Sequence, residues 1–368
     1  MKVVVTGAGG FIGRNLCANL DLIDGVEVNR VFSSTQRNEY SPWIKEADLI
    51  YHLAGVNRTK DPSEFVSVNT SFTREILELA AKGDIVPTVV ISSTSQAVKD
   101  NDYGRSKRAA EELIEEYASN GNIHGAIYRL PGVFGKWSRP NYNSVVSTFC
   151  HNVANELPLE VRDPSFALPL VYVDDVIRAF LSHLNNRFKG LGTYEVTPVF
   201  NTTLGELADI ISSFPGLRES LRAPKVGKGL EKRLYSTYLS YLPADKFSYP
   251  MELKKDNRGD LFEWIKSEDF GQIFVSTTKP GITRGNHYHH SKTEKFLVIR
   301  GEAEISLRLI DSDQVITYKV YGSQPTVVDM PPGYTHNITN TGNTELITLF
   351  WANEIFDTER PDTNFLEV

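Results

Sequence analysis

The amino-terminal half of the chain alternates short apolar runs with longer amphipathic stretches. The apolar runs are KVVVT, VEVNRVF, ADLIYHLAG and TVVISSTSQAV, and helix-length material separates them. This alternation predicts a doubly wound α/β fold of the Rossmann type, with a parallel sheet and helices on both faces. Ligands of such sheets bind at the carboxyl ends of the strands. We therefore expect residues 52–55 and 92–95 to lie near the ligand, with Leu53, Ala54 and Gly55 in contact with a cofactor.

The pattern changes in the carboxyl-terminal third, where β-rich runs are separated by polar turns. These runs are GQIFVSTT, EKFLVIRG, AEISLRLI, QVITYKVY, PTVVDM and ELITLFWA. They predict an all-β antiparallel sandwich or barrel. Between the two patterns, residues 215–250 contain several prolines, the basic run KVGKGLEKR and the tyrosine-rich LYSTYLSYL. We place the domain boundary there, which gives domains at 1–245 and 246–368.

Composition narrows the class of protein. A chain of 368 residues favours two domains, and the net charge of −7 argues against nucleic acid as a partner. No apolar run reaches the roughly 18 residues that a membrane span needs. The start MKVVVTGAGG runs directly into a predicted strand and is not typical of a signal peptide. We expect a cytoplasmic protein whose cysteines, Cys17 and Cys150, are reduced and packed.

A glycine-rich turn follows the first predicted strand, in the sequence TGAGGFIG. Gly7 permits a tight turn, Gly10 lets the backbone approach a pyrophosphate, and Gly13 allows the helix to pack closely on the strand. Phe11 and Ile12 open that helix, whose free N–H groups attract phosphate. A glycine triplet between a strand and a helix is a strong indication of a bound dinucleotide.

The second predicted strand bears on the choice between NAD and NADP. An acidic residue at its end would bind the ribose 2′-hydroxyl, and a basic residue suits a 2′-phosphate. Glu27 alternates with Val26 and Val28 inside the strand, whereas Arg30 falls at the end. The sequence therefore favours NADPH.

The sequence contains two Tyr-x-x-x-Lys pairs. Tyr103 and Lys107 open a strong helix former, so their spacing places both side chains on one helix face. Tyr288 and Lys292 lie in a strand-to-turn context, where this spacing does not align side chains. A Lys⁺ lowers the pKa of a nearby phenol from its reference of about 10, which suits a proton donor to a reduced carbonyl. The alternative is an incidental pair on a surface helix.

These motifs resemble those of the extended short-chain dehydrogenases/reductases of the nucleotide-sugar type. The resemblance covers roughly residues 1–240 and includes TGAGGFIG, HLAG, SST, YGRSK, YRLPGVFG and VYVDDV. It implies that Tyr103 relays a proton and that Lys107 assists it and binds the nicotinamide ribose. It also implies that Thr94 holds the substrate carbonyl, although Ser93 and Ser95 are close alternatives. Asn69 matches an asparagine often found in these folds.

The chain has eight histidines, and three of them lie within 287–290. His287 and His289 are expected on one face of a strand and His290 on the other. Glu294 begins the next predicted strand, and His336 follows the PPGYTHN turn. Three histidines and one glutamate converging inside a barrel would suit a divalent transition metal with an open coordination position.

The spacing resembles the two motifs of the cupin family. Gly281, the two histidines, Glu294 and Gly301 match the first motif in full. Pro331, Gly333, His336 and Asn340 match most of the second, which departs from the family at Pro325. The resemblance implies that His287, His289, Glu294 and His336 bind a metal and that His290 does not.

A second resemblance competes for His287. DNRGDLFE and RGNHY are similar to segments of the cupin-type nucleotide-sugar epimerases that work without metal, in which the matching histidine is the general base. A metallated nitrogen cannot abstract a proton, so the two roles exclude each other. His289, which that family lacks, favours the metal. The sequence does not identify which residue near these motifs would transfer a proton in the cupin.

The order of the two domains, with the ending PDTNFLEV, resembles that of the bifunctional enzymes of capsular polysaccharide synthesis over the whole chain. This resemblance implies a zinc cupin, a homodimer and a UDP-linked 4-keto-6-deoxy amino sugar as substrate. The cupin would epimerise C3 of a UDP-2-acetamido-2,6-dideoxy-4-hexulose. The reductase domain would then reduce C4 with NADPH, giving a UDP-talosamine derivative on the route to UDP-N-acetyl-L-fucosamine.

Two alternatives stay open at the level of sequence. In one, the chain is only a 4-ketosugar reductase, and the metal cupin is a structural or dimerising module. In the other, it is a non-enzymatic NADPH-binding sensor whose cupin binds a ligand. Retention of Tyr103, Lys107 and Thr94 argues against the sensor.

Overall fold

The computed structural model describes residues 1–185 and 189–368, which form two compact units. The first contains 1–213 and 226–243, and the second contains 214–225 and 244–368. The predicted fold class is confirmed, because a parallel α/β unit is followed by an all-β unit of antiparallel sheets. The last crossing between the units lies between 243 and 244, and the domain limits 1–245 and 246–368 stay a prediction.

The first unit is built on a six-stranded parallel sheet and a smaller three-stranded sheet. Its strands are β1 (Lys2–Thr6), β2 (Glu27–Val31), β3 (Leu49–His52), β4 (Thr88–Thr94), β5 (His124–Leu130), β6 (Gly132–Phe134), β7 (Ala167–Tyr172), β8 (Leu191–Tyr194) and β9 (Phe200–Thr203). The order of the large sheet is β2-β1-β3-β4-β5-β8. Because the chain turns to opposite sides of β1, the switch point lies between β1 and β3, where ligands of such sheets bind.

The helices of this part of the chain cover both faces of the large sheet. They are α1 (Phe11–Leu20), α2 (Arg37–Lys45), α3 (Phe72–Ala80), α4 (Asp102–Ser119), α5 (Val145–Ala154), α6 (Val173–Asn185), α7 (Leu204–Glu219) and α8 (Gly229–Leu239). A π-helix over Phe65–Ser71 runs directly into α3. Along β1, Val3 and Val5 enter one buried core and Val4 enters the other. Burial on both faces explains why the strand is apolar throughout.

The second unit consists of two antiparallel sheets. Their strands are β10 (Lys254–Asp256), β11 (Gly259–Ser267), β12 (Gly271–Thr278), β13 (Thr283–Tyr288), β14 (Glu294–Arg300), β15 (Glu302–Leu309), β16 (Val315–Tyr321), β17 (Val327–Met330), β18 (Tyr334–Asn340), β19 (Leu346–Ala352) and β20 (Asn364–Phe365). One sheet has the order β10-β11-β12-β19-β14-β17, and the other β16-β15-β18-β13-β20. In the core of this unit, the ring centroid of Phe350 lies 4.5 Å from that of Phe296 and 4.8 Å from that of Phe274.

The predicted β-rich runs of this unit correspond to β12, β14, β15, β16, β17 and β19. The prediction omitted β10, β11 and β20, which are short, at an edge or rich in charged residues, and β18, whose polar sequence YTHNITN follows the PPG turn. In the described residues, both cysteines are free and buried. Within the same residues, no helix is long and apolar enough to cross a membrane.

Candidate functional site

The glycine turn between β1 and α1 forms as predicted. Gly7 has a φ of +67°, and the Gly10 N–H donates to the Gly7 carbonyl at 2.9 Å. A Cβ at Gly13 would lie 2.2 Å from that carbonyl oxygen, so only glycine permits this packing of α1. Phe11 and Ile12 form the first turn of the helix, and Gly10 offers no capping side chain. The first N–H groups of α1 are therefore available to an anionic ligand.

The structure brings the turn together with the segment that follows β3. A Cβ at Gly7 would lie 2.6 Å from the Ala54 nitrogen and 2.8 Å from the carbonyl carbon of Leu53. The Ala54 N–H donates to the Thr6 hydroxyl at 3.2 Å. Gly7 and the predicted segment Leu53, Ala54 and Gly55 thus lie side by side at the switch point of the sheet.

His52, at the end of β3, is a buried residue of this site, within the segment 52–55 that the sequence argument placed near the ligand. Its Nδ1 lies 2.8 Å from the Thr6 hydroxyl, and its Nε2 lies 2.9 Å from the Thr73 hydroxyl. Because Thr6 already accepts from Ala54 and Thr73 donates to the Asn69 carbonyl, the network assigns the proton to Nε2. Burial, aided by the Lys107 charge, lowers the pKa of His52 to about 3. His52 is therefore neutral near pH 7 and links Thr6 to Thr73 through hydrogen bonds.

Tyr103 lies in the first turn of α4 and faces the end of β4. The Thr94 hydroxyl accepts the Gln96 N–H at 3.2 Å, which leaves its own hydrogen to donate to Tyr103. Burial raises the pKa of the Tyr103 phenol, and this hydrogen bond partly opposes the increase. The sequence argument expected the Lys107 charge to lower that pKa. Burial sets the direction of the shift instead, because removing a phenolate from water costs more than the Thr94 hydrogen bond returns.

Lys107 is buried one turn further along α4, as the i, i+4 spacing predicts. Burial lowers the pKa of its ammonium group to about 8, although the Glu111 charge opposes this. A Cβ at Gly55 would lie 3.8 Å from Lys107 Nζ and 3.1 Å from Asn69 Oδ1. Lys107 therefore reaches the segment after β3 across the switch point.

Asn69 is buried in the π-helix and fixes the start of the next loop. Its Oδ1 accepts the Val56 N–H at 2.8 Å, and its Nδ2 donates to the Val56 carbonyl at 2.9 Å. The same Nδ2 lies 3.0 Å from the Ser106 hydroxyl, which donates to the Tyr103 carbonyl. The amide thereby links the Gly55 segment to α4. Single-turn π-bulges frequently occur at functional sites.

Sequence reasoning also missed an ion pair between the buried Glu111, one turn after Lys107 on α4, and the exposed Arg129. The Glu111 carboxylate accepts the Ser93 hydroxyl and receives Arg129 Nη2 at 2.6 Å and Nε at 3.1 Å. Ser93 precedes Thr94, and Glu111 follows Lys107 by one helical turn. The pair thus ties the carboxyl end of β4 to α4. The sequence signal for this ion pair was Glu111 itself, a glutamate on the face of α4 that the apolar pattern predicts to be buried.

Arg30 lies in β2 beside the last residue of the strand, Val31, and forms an ion pair with Asp21 at the end of α1. Glu27 is the first residue of the strand, at the opposite end from the glycine turn. Arg30 therefore lies at the same end of the sheet as the glycine turn, with its guanidinium engaged by Asp21. The preference for NADPH stays a prediction.

A polar cavity of about 440 Å³ lies beside the start of α5, lined by Arg58, Asn141, Tyr142, Asn143, Ser144, Val145 and Thr148. The Arg58 guanidinium donates to the Tyr142 carbonyl at 2.7 Å, and the Tyr142 hydroxyl donates to the Arg58 carbonyl at 3.2 Å. These reciprocal bonds hold the loop after β3 against the loop before α5.

In the second unit, the four predicted metal ligands converge. One ligand atom from each of His287, His289, Glu294 and His336 lies within 4.8 Å of the others. The Nε2 atoms of His289 and His336 each lie 3.4 Å from Glu294 Oε2. His290 is exposed and packs edge-on against Tyr288, with ring centroids 5.3 Å apart. The predicted separation of His290 from the other three residues is thus what the structure has.

A β-bulge orients His287, and this differs from the simple alternation that the sequence argument used. The register of β13 against β18 shifts between Gly285 and His287, with positive φ angles at Gly285 and Asn286. His289 follows the end of the strand instead of lying within it. The extra residue turns His287 towards His336, with ring centroids 4.7 Å apart.

Each of the three imidazoles has one ring nitrogen bound by backbone. His289 Nδ1 lies 2.5 Å from the Asp362 carbonyl oxygen, and His336 Nδ1 lies 3.1 Å from that of Tyr334. The His287 ring bonds to the backbone of Gly285. The Nε2 atoms of His289 and His336 are buried and have no hydrogen-bond partner. Buried orphan nitrogens beside a carboxylate are what a divalent cation requires, so the residues fit a metal.

Electrostatics agree with this fit. Burial, and to a smaller extent the neighbouring histidines, lower the pKa of His287 to about 4. The imidazole is therefore neutral near pH 7. Burial alone would raise the pKa of Glu294, but the imidazoles of His289 and His336 hold it well below its usual range. A neutral imidazole and an ionised carboxylate are the forms that bind metal.

Comparisons with known proteins agree with both halves of this description. Residues 3–196 match the NAD-dependent epimerase/dehydratase family, and residues 254–364 match the polysaccharide biosynthesis C-terminal domain. The chain therefore belongs to the NAD-dependent epimerase/dehydratase family, with this second domain attached.

Two relatives match over the whole length. A UDP-2-acetamido-2,6-beta-L-arabino-hexul-4-ose reductase from Pseudomonas aeruginosa is 44% identical, over 99% of this chain and 98% of its own. The crystal structure of the capsular polysaccharide assembling protein CapF from Staphylococcus aureus is 44% identical, with a TM-score of 0.92 and full coverage of both chains. A putative UDP-glucose 4-epimerase from Methanocaldococcus jannaschii is 26% identical over 73% of this chain.

Proposed function

We propose that the chain is a bifunctional nucleotide-sugar enzyme that supplies a precursor of a capsular or surface polysaccharide. The second unit epimerises C3 of a UDP-2-acetamido-2,6-dideoxy-4-hexulose. The first unit reduces the C4 ketone with NADPH to a UDP-6-deoxy-N-acetyl-talosamine, on the route to UDP-N-acetyl-L-fucosamine. The observation that carries the proposal is the presence of two separate constellations in one chain, the Thr94–Tyr103–Lys107 group and the His₃Glu cluster. The activity in the name of the 44% identical Pseudomonas relative supports it.

In the reduction, Thr94 and Tyr103 bind the C4 ketone oxygen and Tyr103 donates the proton. A bound nicotinamide cofactor would supply the hydride to C4, which together with the proton from Tyr103 would convert the ketone to an alcohol. Lys107, still protonated below about pH 8, stabilises the phenolate that forms as the proton leaves. Burial of the phenol keeps it protonated until a carbonyl oxygen is in place.

We infer a dinucleotide site formed by Gly7, Gly10 and Gly13 with Leu53–Gly55, and NADPH as the dinucleotide. The glycine turn and the first N–H groups of α1 support the pyrophosphate. Residues 28–38 contain no carboxylate that could bind a ribose 2′-hydroxyl. This absence supports NADPH independently of Arg30, which Asp21 already engages. Equal hydride-transfer rates with NADH and NADPH would contradict it.

We assign the cavity beside α5 to the UDP group of the substrate. Arg58 and the N–H groups at the start of α5 provide positive charge, and the asparagine and serine side chains provide hydrogen bonds. An Arg58→Ala variant should raise the KM for the UDP-sugar and leave the Kd for NADPH unchanged.

In the second unit, His287, His289, Glu294 and His336 would hold a divalent ion, for which we propose Zn²⁺. As a Lewis acid the ion would stabilise negative charge that develops on the sugar ketone. A ketone at C4 makes the C3–H bond acidic, so removing this proton and returning one to the opposite face inverts C3. Such an inversion has an equilibrium constant near one. The reduction that follows removes its product and so shifts the equilibrium towards the inverted sugar.

We also propose a homodimer. β16 is an edge strand whose residues are exposed on both faces, including Val315, Ile316 and Tyr318. An unpaired apolar edge favours pairing with a second copy. Light scattering of the full chain should give twice the monomer mass, and a Tyr318→Lys variant should reduce it.

The two activities are tested by incubating the keto-sugar in D₂O without NADPH. We expect deuterium at C3 with the wild type and with Tyr103→Phe, and none with His287→Ala. With NADPH, Tyr103→Phe should lose about 10²–10⁴-fold in reduction. If no deuterium enters at C3 with the wild type, the chain is a 4-ketosugar reductase whose metal cupin is structural, and the first proposal fails.

A further inference from the structure

The carboxyl-terminal tail, residues 361–366, lies against the segments that carry three of the four predicted metal ligands. It follows β19 and includes the short strand β20. β20 pairs with β13 in the register His287 with Phe365 and Tyr288 with Asn364. The sequence shows no motif for such a role, because the tail meets the ligands only in the folded chain.

Asp362 makes the most direct of these contacts. Its carbonyl oxygen accepts His289 Nδ1 at 2.5 Å, which fixes the tautomer that turns Nε2 towards Glu294. Its carboxylate accepts the N–H groups of His290, Ser291 and Lys292 at 2.9, 2.9 and 3.0 Å. Burial opposes ionisation, yet these N–H groups hold the pKa of Asp362 well below its usual range.

The backbone of Asp362 is held in an unusual conformation by these bonds, with a φ of +36°. Positive φ at a residue other than glycine costs free energy and persists where surrounding contacts fix it. One residue thus binds His289 through its main chain and caps the turn after His289 through its side chain.

Lys292 holds the tail from the other side. Its side chain is buried, and Nζ donates to the Pro361 carbonyl at 3.2 Å and to the Thr363 hydroxyl at 3.1 Å. Lys292 therefore binds the tail, and its four-residue spacing from Tyr288 plays no part in this contact.

The tail also reaches the strand that carries His336. The Leu366 N–H donates to the Asn286 carbonyl at 3.0 Å, and the Leu366 carbonyl accepts the hydroxyl of Thr335, the neighbour of His336. Residues adjacent to His287, His289 and His336 are therefore all bonded to one six-residue segment.

We propose that this tail is the outer shell of the metal site and that tail docking and metal binding are coupled. The proposal rests on the metal site proposed above. A docked tail holds the His289 imidazole in the tautomer that metal requires and fixes the strands that carry His287 and His336. By linkage, metal bound to the docked form stabilises docking by the same factor.

The first test uses the full chain and Zn²⁺ alone, with affinity measured by competition against a chelator. Asp362→Ala removes the carboxylate that caps the turn, and Asp357→Ala is a matched control. Asp357 lies just before the tail and, among the described contacts, bonds only to the nearby Glu359 and Arg360. We expect Asp362→Ala to weaken zinc binding about 10–100-fold and Asp357→Ala to leave it unchanged.

The second test needs no variant and so does not depend on correct folding of Asp362→Ala. Hydrogen exchange of the 361–366 amides in the wild type should slow when zinc is added. Equal zinc affinity of Asp362→Ala and wild type, or tail exchange that zinc does not change, would overturn the coupling. A wild type that binds no zinc would instead refute the metal site itself, and the coupling with it.

Discussion

Glu111 follows Lys107 by one turn of α4, and both side chains are buried. Burial lowers the pKa of Lys107 to about 8, and the negative charge of Glu111 limits that decrease. Arg129 and Ser93 hold the Glu111 carboxylate in place. Glu111 therefore helps to keep Lys107 protonated near neutral pH.

Replacing Glu111 should shift the pH dependence of ketone reduction. If Lys107 must be protonated, kcat/KM is level at low pH and falls above about pH 8. Glu111→Gln removes the charge that raises the pKa of Lys107, so this fall should move to lower pH. The measurement is kcat/KM for the keto-sugar between pH 6 and 9.5. Glu112→Gln, an exposed neighbour on α4, is the control. An unmoved alkaline limb in Glu111→Gln would show that Lys107 protonation does not govern the rate.

His52 should make the protein less stable in acid. Its pKa is about 3 in the folded chain and about 6.5 in a model peptide. Between these values the unfolded chain binds more protons, so the free energy of unfolding falls as pH decreases from about 6.5 towards 3. In His52→Gln the decrease should be shallower, whereas the offset between the two proteins should stay constant above pH 7. Urea unfolding at a series of pH values checks this, and parallel curves throughout would contradict it.

Gly13→Ala should disrupt the dinucleotide site. The added Cβ would lie 2.2 Å from the Gly7 carbonyl oxygen, so α1 or the turn must move. We expect NADPH affinity to fall by at least about tenfold, because the phosphate-binding N–H groups move with the helix. Gly216→Ala is the matched control. No atom lies within 4 Å of a Cβ at that position of α7, so alanine there should stabilise the chain by up to about 1 kcal/mol. Unchanged NADPH binding in Gly13→Ala would argue against a pyrophosphate at this turn.

His289 and His290 are neighbours in sequence with opposite predicted roles. His289 is buried with its Nε2 directed at Glu294, and His290 is exposed. His289→Ala should purify with little zinc and lose the zinc-dependent increase in Tm, whereas His290→Ala should retain both. At a zinc concentration 100 times the Kd, binding should stabilise the wild type by about 2.7 kcal/mol. Elemental analysis and thermal unfolding of tag-free protein measure these effects. Equal zinc content in the two variants would refute the assignment.

The sequence by itself determined the features that depend on local periodicity and short-range spacing. The continuous apolar runs gave the parallel strands, the glycine triplet gave the turn before α1, and the i, i+4 spacing placed Tyr103 and Lys107 on one face of α4. The metal cluster was predicted from motif spacing, because three of its ligands lie within eight residues and the fourth follows a marked turn.

Only the tertiary structure decided the contacts between segments distant in sequence. Arg30 forms an ion pair with Asp21 at the end of the preceding helix, and burial raises the pKa of Tyr103. Glu111 meets Arg129, and Asp362 meets His289 from 73 residues away. Periodicity indicates which face of a helix or strand is buried. The charge of an ionisable side chain and the tautomer of a histidine depend on how deeply that side chain is buried and on which groups contact it. Those depend on which distant segments pack together, and that packing exists only in the folded chain.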